Sequence, residues 1–599
     1  MSTQFVKKRD QIDEKYKWKI SEIYNDISNW ENDFSYVKND IIKFEKFKGQ
    51  LSSCEKILDY LKLYEKVSRR YNKLFMYANF ILDSDTNISS SQSMMSKIEM
   101  LKVELESATS FFVPEILELG EEAVVNLIKD HHDLDIYSKY LKKIFDLKEH
   151  ILSNDVEEAL AQISDYTTSS LSVYSSLCYS DLKFPVISDE NGNAVELNDS
   201  NFNSFIRCGS RKVRENAFNS LLSRFGDFKN TFSANLLNNV KSVSNVARIK
   251  KYNSSIEYCV DDDHIPVSVL NTTIGTINKN LNLLHRYVSL KKKLLGYGDI
   301  HMYDLYAPMF DIPNKEYLFE EGVSIVKEGL SILGEDYISV LDSGLKNGWC
   351  DVYPNVGKKT GAYSWGSYDT MPYFLLNYGN HLNDVFILAH ELGHSLHTYY
   401  SNNNQPYIYS EYTLFNAEVA STTNEILLIN HLIKNAPDKK MKLYLIAHEL
   451  EQIRLTVFRQ TMFAEFEKAI HEEIDKGNGL SCDDLCNIYY NLNVKYHGED
   501  IIVDDEIKME WARVAHFYTN FYVYKYVTGY AAATTFANSI LNSEEGALKK
   551  YKKFLKSGGS DYSIEIQKEC GVDITTSTPV QNVVERFSYL LDLLEQETK

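Results

Sequence analysis

His390-Glu391-Leu392-Gly393-His394 sets two imidazoles four residues apart, with a carboxylate directly after the first. On a helix, residues at that spacing share a face with Cβ atoms about 5–6 Å apart. Both rings can then reach one Zn²⁺ at about 2.0–2.1 Å. Glu391 lies about 100° further round the helix and cannot share their vertex. It is placed to hold a water and take its proton, so the chemistry on offer is metal-assisted hydrolysis. The competing explanation is a chance match, and the chain contains a partial one: His448-Glu449 begins the pattern without the second histidine. His397 points to the same face as His390 but sits roughly 10 Å along the axis. That is too far to share one tetrahedral ion, so it reads as an interior or supporting histidine.

A catalytic zinc takes three protein ligands and leaves one position open. A downstream carboxylate is therefore needed, and Phe415–Leu428 supplies two on a helical pattern. Glu418 lies among Phe, Ala, Val and Ser, where a bare charge would be costly to bury, and it is the preferred third ligand. Glu425, seven residues on, shares its face. It reads as a support for a ligand histidine and as the alternative third ligand. Glu411 precedes this helix and reads as exposed.

These residues need elements to hold them. Val385, Leu388, Ala389, Leu392 and Leu396 form an apolar stripe at helical period, and Phe386 and Ile387 make the opposite side apolar too. The motif helix is therefore expected to be buried nearly all round. From Tyr16 to about Ser180 the pattern is helical, with segments such as Ile57–Phe80, Met95–Phe112 and Glu121–Ile128. His131-His132-Asp133 falls in a polar connection and reads as a solvated turn. Phe184-Pro185-Val186-Ile187 and Ala194-Val195-Glu196-Leu197 flank Asp189-Glu190-Asn191-Gly192-Asn193, a hairpin signal. It places a lobe boundary after residue 198: an N-terminal helical lobe over 1–198 and a catalytic domain over 199–599. Trp349–Tyr378 is the other non-helical stretch. Gly361-Ala362-Tyr363-Ser364 within it is the expected strand edge, able to pair with an extended substrate or to be a purely structural hairpin.

Pro is scarce at 10 residues in 599, which favours long helices over a turn-rich β fold. The net charge of −20, with basic residues dispersed, excludes a nucleic-acid groove, which needs a basic face. No apolar run approaches the roughly 20 residues of a membrane span, and no signal peptide is visible. The eight cysteines are scattered, and Cys482 and Cys486 have no second pair to complete a zinc site. Together these features lead to the expectation of a cytoplasmic location. With 42 tyrosines in the chain, no single tyrosine near a motif says much.

The residues carry a resemblance to oligoendopeptidase F, a branch of the thimet oligopeptidase family of zinc metallopeptidases. It rests on His390–His397, Asn404-Gln405-Pro406, Ala417–Thr422 with Asn424-Glu425, Tyr303–Tyr306 and Gly357–Ala362. Near the C-terminus it rests on Glu510–Arg513, His516-Phe517-Tyr518 and Ser557–Tyr562. The resemblance implies a mainly α, two-lobed helical ellipsoid with a deep substrate channel and a small β-sheet beside the motif helix. It implies one Zn²⁺ per chain, held by His390, His394 and Glu418, with Glu391 as catalytic base. It also implies that a His-and-Tyr segment closes on the substrate and stabilises the tetrahedral intermediate. Here that segment is His516–Tyr526, with His516, Tyr522 and Tyr524 as the candidates. It lacks the glycine-rich stretch that follows the histidine in the thimet oligopeptidase branch, so the matching of individual tyrosines is open.

The expectation is a zinc endopeptidase that cuts internal bonds of oligopeptides, with a monomer favoured over an oligomer. A zinc carboxypeptidase is the nearest rival and would need a cationic clamp, for which Arg513 is the candidate. A peptide-binding scaffold with a structural zinc is the rival from another class, and a fourth protein ligand would favour it.

Overall fold

The computed structural model describes residues 6–261, 263–311 and 315–599. Helices dominate the chain, and the strands form only three small sheets among the described residues. Long amphipathic helices occupy Cys54–Ser84, Ser89–Thr109 and Glu121–Asp130, close to the segments their periodicity predicts. The first begins where the Ser53 hydroxyl accepts the N–H of Lys56. The hairpin also forms, with Val186–Ser188 antiparallel to Ala194–Glu196. Its turn is closed by the Asp189 carboxylate, which accepts from the N–H groups of Asn191 and Asn193, each at 2.8 Å. No helix among the described residues is long and apolar enough to cross a membrane.

The chain divides into two compact units, each gathered from three stretches. The first comprises Met1–Glu149, Lys315–Asn430 and Phe536–Gly571; the second comprises His150–Asn314, His431–Thr535 and Val572–Lys599. This division does not follow the expected boundary after residue 198, and the hairpin lies inside the second unit. The reason lies in the core of the first unit. Trp18, Trp30, Phe44, Tyr60, Leu74 and Phe80 pack in one apolar cluster with Tyr373 and Leu375. A core built from segments some 300 residues apart leaves no trace in local composition.

Tyr373 and Leu375 belong to the three-stranded sheet of this unit. Its central strand, Tyr373–Leu375, pairs parallel with Cys350–Asp351 and antiparallel with Tyr363–Trp365. Tyr363–Trp365 is an edge strand, as the sequence suggests. Asp351 is buried and ties the N-terminal segment to the sheet. Its carboxylate meets the Arg9 guanidinium at 2.6 Å and the Lys358 ammonium at 2.8 Å. Burial alone would raise the Asp351 pKa, but Arg9 and Lys358 outweigh it and hold the carboxyl below its usual range. Lys358 is buried so deeply that desolvation lowers its pKa in spite of Asp351.

Replacing Asp351 by Asn should strand a buried ammonium, at a cost of about 3–5 kcal/mol. Because the folded pKa of Asp351 is depressed, its contribution is present above the unfolded carboxylate pKa of about 4. It is lost as pH falls through the lower folded value. Melting temperatures from pH 7 down to pH 2 should show a lower value for Asp351→Asn at neutral pH and convergence with the parent in acid. Parallel curves across that range would refute the assignment.

Candidate metal centre

The motif lies on the helix Leu382–Asn404. This helix starts where the Asp384 carboxylate accepts the N–H groups of His381 and Gly379, at 2.8 and 3.0 Å. Val385, Leu388, Ala389, Leu392 and Leu396 are fully buried, so the predicted stripe faces the core. Helices Phe319–Leu330 and Ala547–Ser557 pack along it. The edge strand lies beside it, with the Ser364 and Ser395 hydroxyls 2.8 Å apart. The helix is therefore enclosed on several sides.

The helix Leu414–Lys434 carries the two glutamates. It approaches the motif helix so closely that a Cβ at Gly393 would stand 2.5 Å from Ser421 Cα and 2.8 Å from the Ala420 carbonyl oxygen. Only glycine permits this contact. Asn424, fully buried, fixes the register: its Nδ2 donates to the Ala389 carbonyl at 3.0 Å, while its Oδ1 accepts from the Tyr337 hydroxyl at 2.9 Å.

This packing brings three donor atoms together. His390 Nε2 and His394 Nε2 are 3.1 Å apart, and Glu418 Oε2 lies 3.4 and 3.6 Å from them. A cation bound tetrahedrally at about 2.0–2.1 Å has ligand–ligand edges of about 3.3–3.4 Å. The triangle has the size of one face of such a tetrahedron. No fourth His, Cys, Asp or Glu joins the cluster among the described residues. Glu425 lies on the far side of His390, accepting from its Nδ1 at 2.5 Å. That bond leaves the Nε2 lone pair free for a cation. The Ser421 hydroxyl donates to Glu418 Oε2 at 3.2 Å.

The electrostatics suit a cation. Burial opposes charge on His390, but the Glu425 and Glu418 carboxylates outweigh it and raise its pKa well above the usual imidazole value. Burial and the neighbouring His390 lower His394 to about 4. For Glu418, burial is outweighed by the two histidines, and its pKa falls to about 2. Glu391 differs from the other two glutamates. It is 5 % exposed, and its Oε2 has no hydrogen-bond partner among the described residues. Burial pushes its pKa up to about 7, with His390 opposing and Glu418 and Glu425 adding to the rise. A carboxyl poised there can exchange a proton near neutral pH.

Other residues singled out in the sequence fall elsewhere. His397 is buried and stacks on Tyr412 with centroids 3.7 Å apart. His131, His132 and Asp133 are exposed. Glu449 of the partial motif is buried in a two-pronged ion pair with Arg586, at 2.8 and 2.6 Å. The Arg513 guanidinium lies over the Phe202 ring.

His516, Tyr522 and Tyr524 belong to the second unit, whereas the metal-site residues belong to the first. His516 is exposed and stacks on Tyr522 with centroids 5.7 Å apart. Its Nε2 lies 3.4 Å from the Tyr526 hydroxyl. Tyr524, in contrast, is fully buried, and its hydroxyl has no partner among the described residues. The expectation that Tyr524 faces a substrate is thus corrected: it belongs to the core, and Tyr526 stands in its place beside His516. A helix begins at Val523, so Tyr522 and Tyr526 share a face that Tyr524 cannot join. Ser421 and Asn424 went unassigned in the sequence. The signal was present, since polar residues three and six positions after Glu418 interrupt an apolar helix.

Peptidase family M3 matches residues 204–585, and Oligopeptidase F matches residues 115–184. Oligopeptidase PepF of Bacillus subtilis is 41 % identical over 98 % of this chain and 88 % of its own length. Group B oligopeptidase PepB of Streptococcus agalactiae is 37 % identical over 95 % of each chain. The crystal structure of oligoendopeptidase-F from Enterococcus faecium superposes with a TM-score of 0.76 at 33 % identity, covering 95 % of this chain and 99 % of that one.

The close helix contact yields a test. Gly393→Ala would force the two helices apart and enlarge the triangle of donor atoms. Overpacking of this kind costs about 1–3 kcal/mol, and metal affinity should fall in parallel. Competition with a chromophoric chelator measures it; parent affinity in Gly393→Ala would show that the contact does not set the site.

Proposed function

This chain belongs to peptidase family M3 and is a metallo-endopeptidase, and on that premise we propose that it hydrolyses internal bonds of short peptides with one Zn²⁺ held by His390, His394 and Glu418. The observation that carries this reading is the triangle of donor atoms 3.1–3.6 Å on a side, with no fourth protein ligand among the described residues. The missing fourth ligand counts against a purely structural metal. Bound there, Zn²⁺ supplies Lewis acidity toward the scissile carbonyl and lowers the pKa of water.

The protein's own groups do the rest. Glu425 holds His390 in the tautomer that offers Nε2, and Ser421 orients Glu418. Glu391 takes the proton of the attacking water and later delivers it to the departing amine. His516 and the hydroxyls of Tyr522 and Tyr526 donate hydrogen bonds to the carbonyl oxygen as negative charge develops on it. A phenol does this without adding charge. The Tyr363–Trp365 edge offers backbone groups to an extended peptide. We place the enzyme in the cytoplasm and take it to act as a monomer.

Short peptides are the proposed substrates because pairing to a strand edge requires an extended chain. Unfolding a stable domain to provide one costs about 5–15 kcal/mol, and no nucleotide-driven motor motif occurs in the sequence. Relatives that bear the name oligopeptidase support the same limit.

Alanine at His390, His394 or Glu418 should remove zinc and activity together, as metal analysis of purified variants would reveal. Full occupancy in Glu418→Ala would eliminate that ligand. Glu391→Gln should keep zinc and peptide binding while kcat falls by about 10²–10⁴-fold; near-parent turnover would exclude Glu391 as the base.

A second experiment concerns size. One cleavage sequence is presented in peptides of increasing length and finally in a loop of a folded protein. Hydrolysis should be efficient on the peptides and vanish on the folded carrier. Equal rates throughout would defeat the proposed limit.

A further inference from the structure

Phe521 has an unusual backbone. Its φ is +55°, a left-handed conformation that is rare for a bulky side chain. Its ring is nonetheless fully buried and meets His471 edge-on with centroids 4.8 Å apart. Its N–H donates to Glu467 Oε1 at 2.6 Å. Glu467 is also fully buried, and its Oε2 has no partner among the described residues. Desolvation pushes this carboxyl up to about 8, although the Phe521 N–H works against the rise. Glu467 and His471 are four residues apart on the helix Arg459–Asp475. One helix face thus supplies both the acceptor for the Phe521 N–H and the seat for its ring.

Backbone strain survives only where the surroundings over-determine it. Here they do. Asn239 Nδ2 lies 3.3 Å from the Phe517 carbonyl oxygen and 2.9 Å from Asn520 Oδ1, bonding to both. Phe517 packs on Phe463 and Phe466 with centroids 5.6 and 5.1 Å away. The segment is thus pinned immediately before the strained residue. Sinking Phe521 into the core turns the next residue, Tyr522, outward against His516, and Tyr526 follows one helical turn on. A glycine would adopt the same φ freely but would have no ring to seat.

We propose that Glu467 and Phe521 form a latch that positions His516, Tyr522 and Tyr526 for the substrate, with Glu467 a positioning residue that touches no reacting group. The proposal rests on the reading that this cluster donates hydrogen bonds to the scissile carbonyl. The carboxyl captures the Phe521 N–H and holds the left-handed turn; the buried ring keeps the turn from rotating.

The test compares Glu467→Ala, Glu467→Gln and Phe521→Gly in zinc-loaded enzyme. Steady-state hydrolysis of one peptide is measured together with hydrogen exchange over residues 515–526. Glu467→Ala should lower kcat by about 10- to 100-fold, the scale of an ångström misplacement. KM and zinc content should stay near parent values, and the Phe521 amide should exchange faster. Glu467→Gln retains an oxygen that can accept the same N–H, so its kcat should stay within about threefold of the parent. Phe521→Gly should resemble Glu467→Ala. Parent-like kcat in Glu467→Ala, or equal losses in the Ala and Gln variants with unchanged exchange at Phe521, overturns the latch. His516→Ala and the Tyr522→Phe/Tyr526→Phe pair keep the two readings apart. If these leave kcat intact while Glu467→Ala still speeds exchange, the turn is held as described and the cluster's proposed role falls instead.

Discussion

The contact between Gly393 and the backbone of Ser421 is the constraint on which the metal centre depends. Histidines at i and i+4 can be supplied by any helix, but the third donor comes from a different helix. Its carboxylate reaches the two Nε2 atoms only if the helix backbones nearly touch. A side chain as small as Ala at 393 would intrude on Ser421 Cα. Asn424 then converts close approach into register, because its amide spans from the Ala389 carbonyl to the Tyr337 hydroxyl. A slip of one residue along either helix would carry Glu418 away from the imidazoles and break both of those bonds.

Three glutamates around this contact behave differently because their surroundings differ. Glu418 faces both histidines and is held ionised. Glu425 faces the Nδ1 side of His390, where it holds the ring's orientation. Glu391 is buried, with one oxygen lacking any partner among the described residues, and burial dominates its pKa. One residue type thus yields a cation-facing carboxylate, an orienting acceptor and a group able to trade protons near neutral pH. The separation arises from which helix face each occupies and from what lies against that face.

Each of the two compact units is assembled from stretches far apart in the chain. In the first, the N-terminal segment is bound to the sheet through Arg9 and Asp351, and Trp30 and Phe80 share a core with Tyr373 and Leu375. The sheet carrying the strand edge therefore rests on the N-terminal helices, although some 300 residues separate them. In the second, the helix Arg459–Asp475 organises the segment that bears His516. Phe463, Phe466, Glu467 and His471 each contact Phe517 or Phe521. The outward display of His516, Tyr522 and Tyr526 has its counterpart in this inward row.

Local periodicity determined what could be read from the sequence alone. The apolar stripe at 385, 388, 389, 392 and 396, the shared face of His390 and His394, the long N-terminal helices and the Asp189–Asn193 hairpin all follow from repeats of 3.6 or 2 residues and from turn chemistry. These depend only on neighbours in the chain. Glu418 and Glu425 stood out for the same reason, as charges on an apolar helix. Which of them meets the Nε2 atoms depends on how closely two helices pack, and that distance is set at Gly393 by a residue on another helix. Burial of Tyr524 and the half-buried place of Tyr526 beside His516 depend on where a helix starts after a strained turn, held by Glu467 more than fifty residues earlier. The division into two units depends on a core that joins distant segments. Such outcomes are properties of packing between elements, whose energies come from contacts that no local window of sequence contains, so only the tertiary structure could decide them.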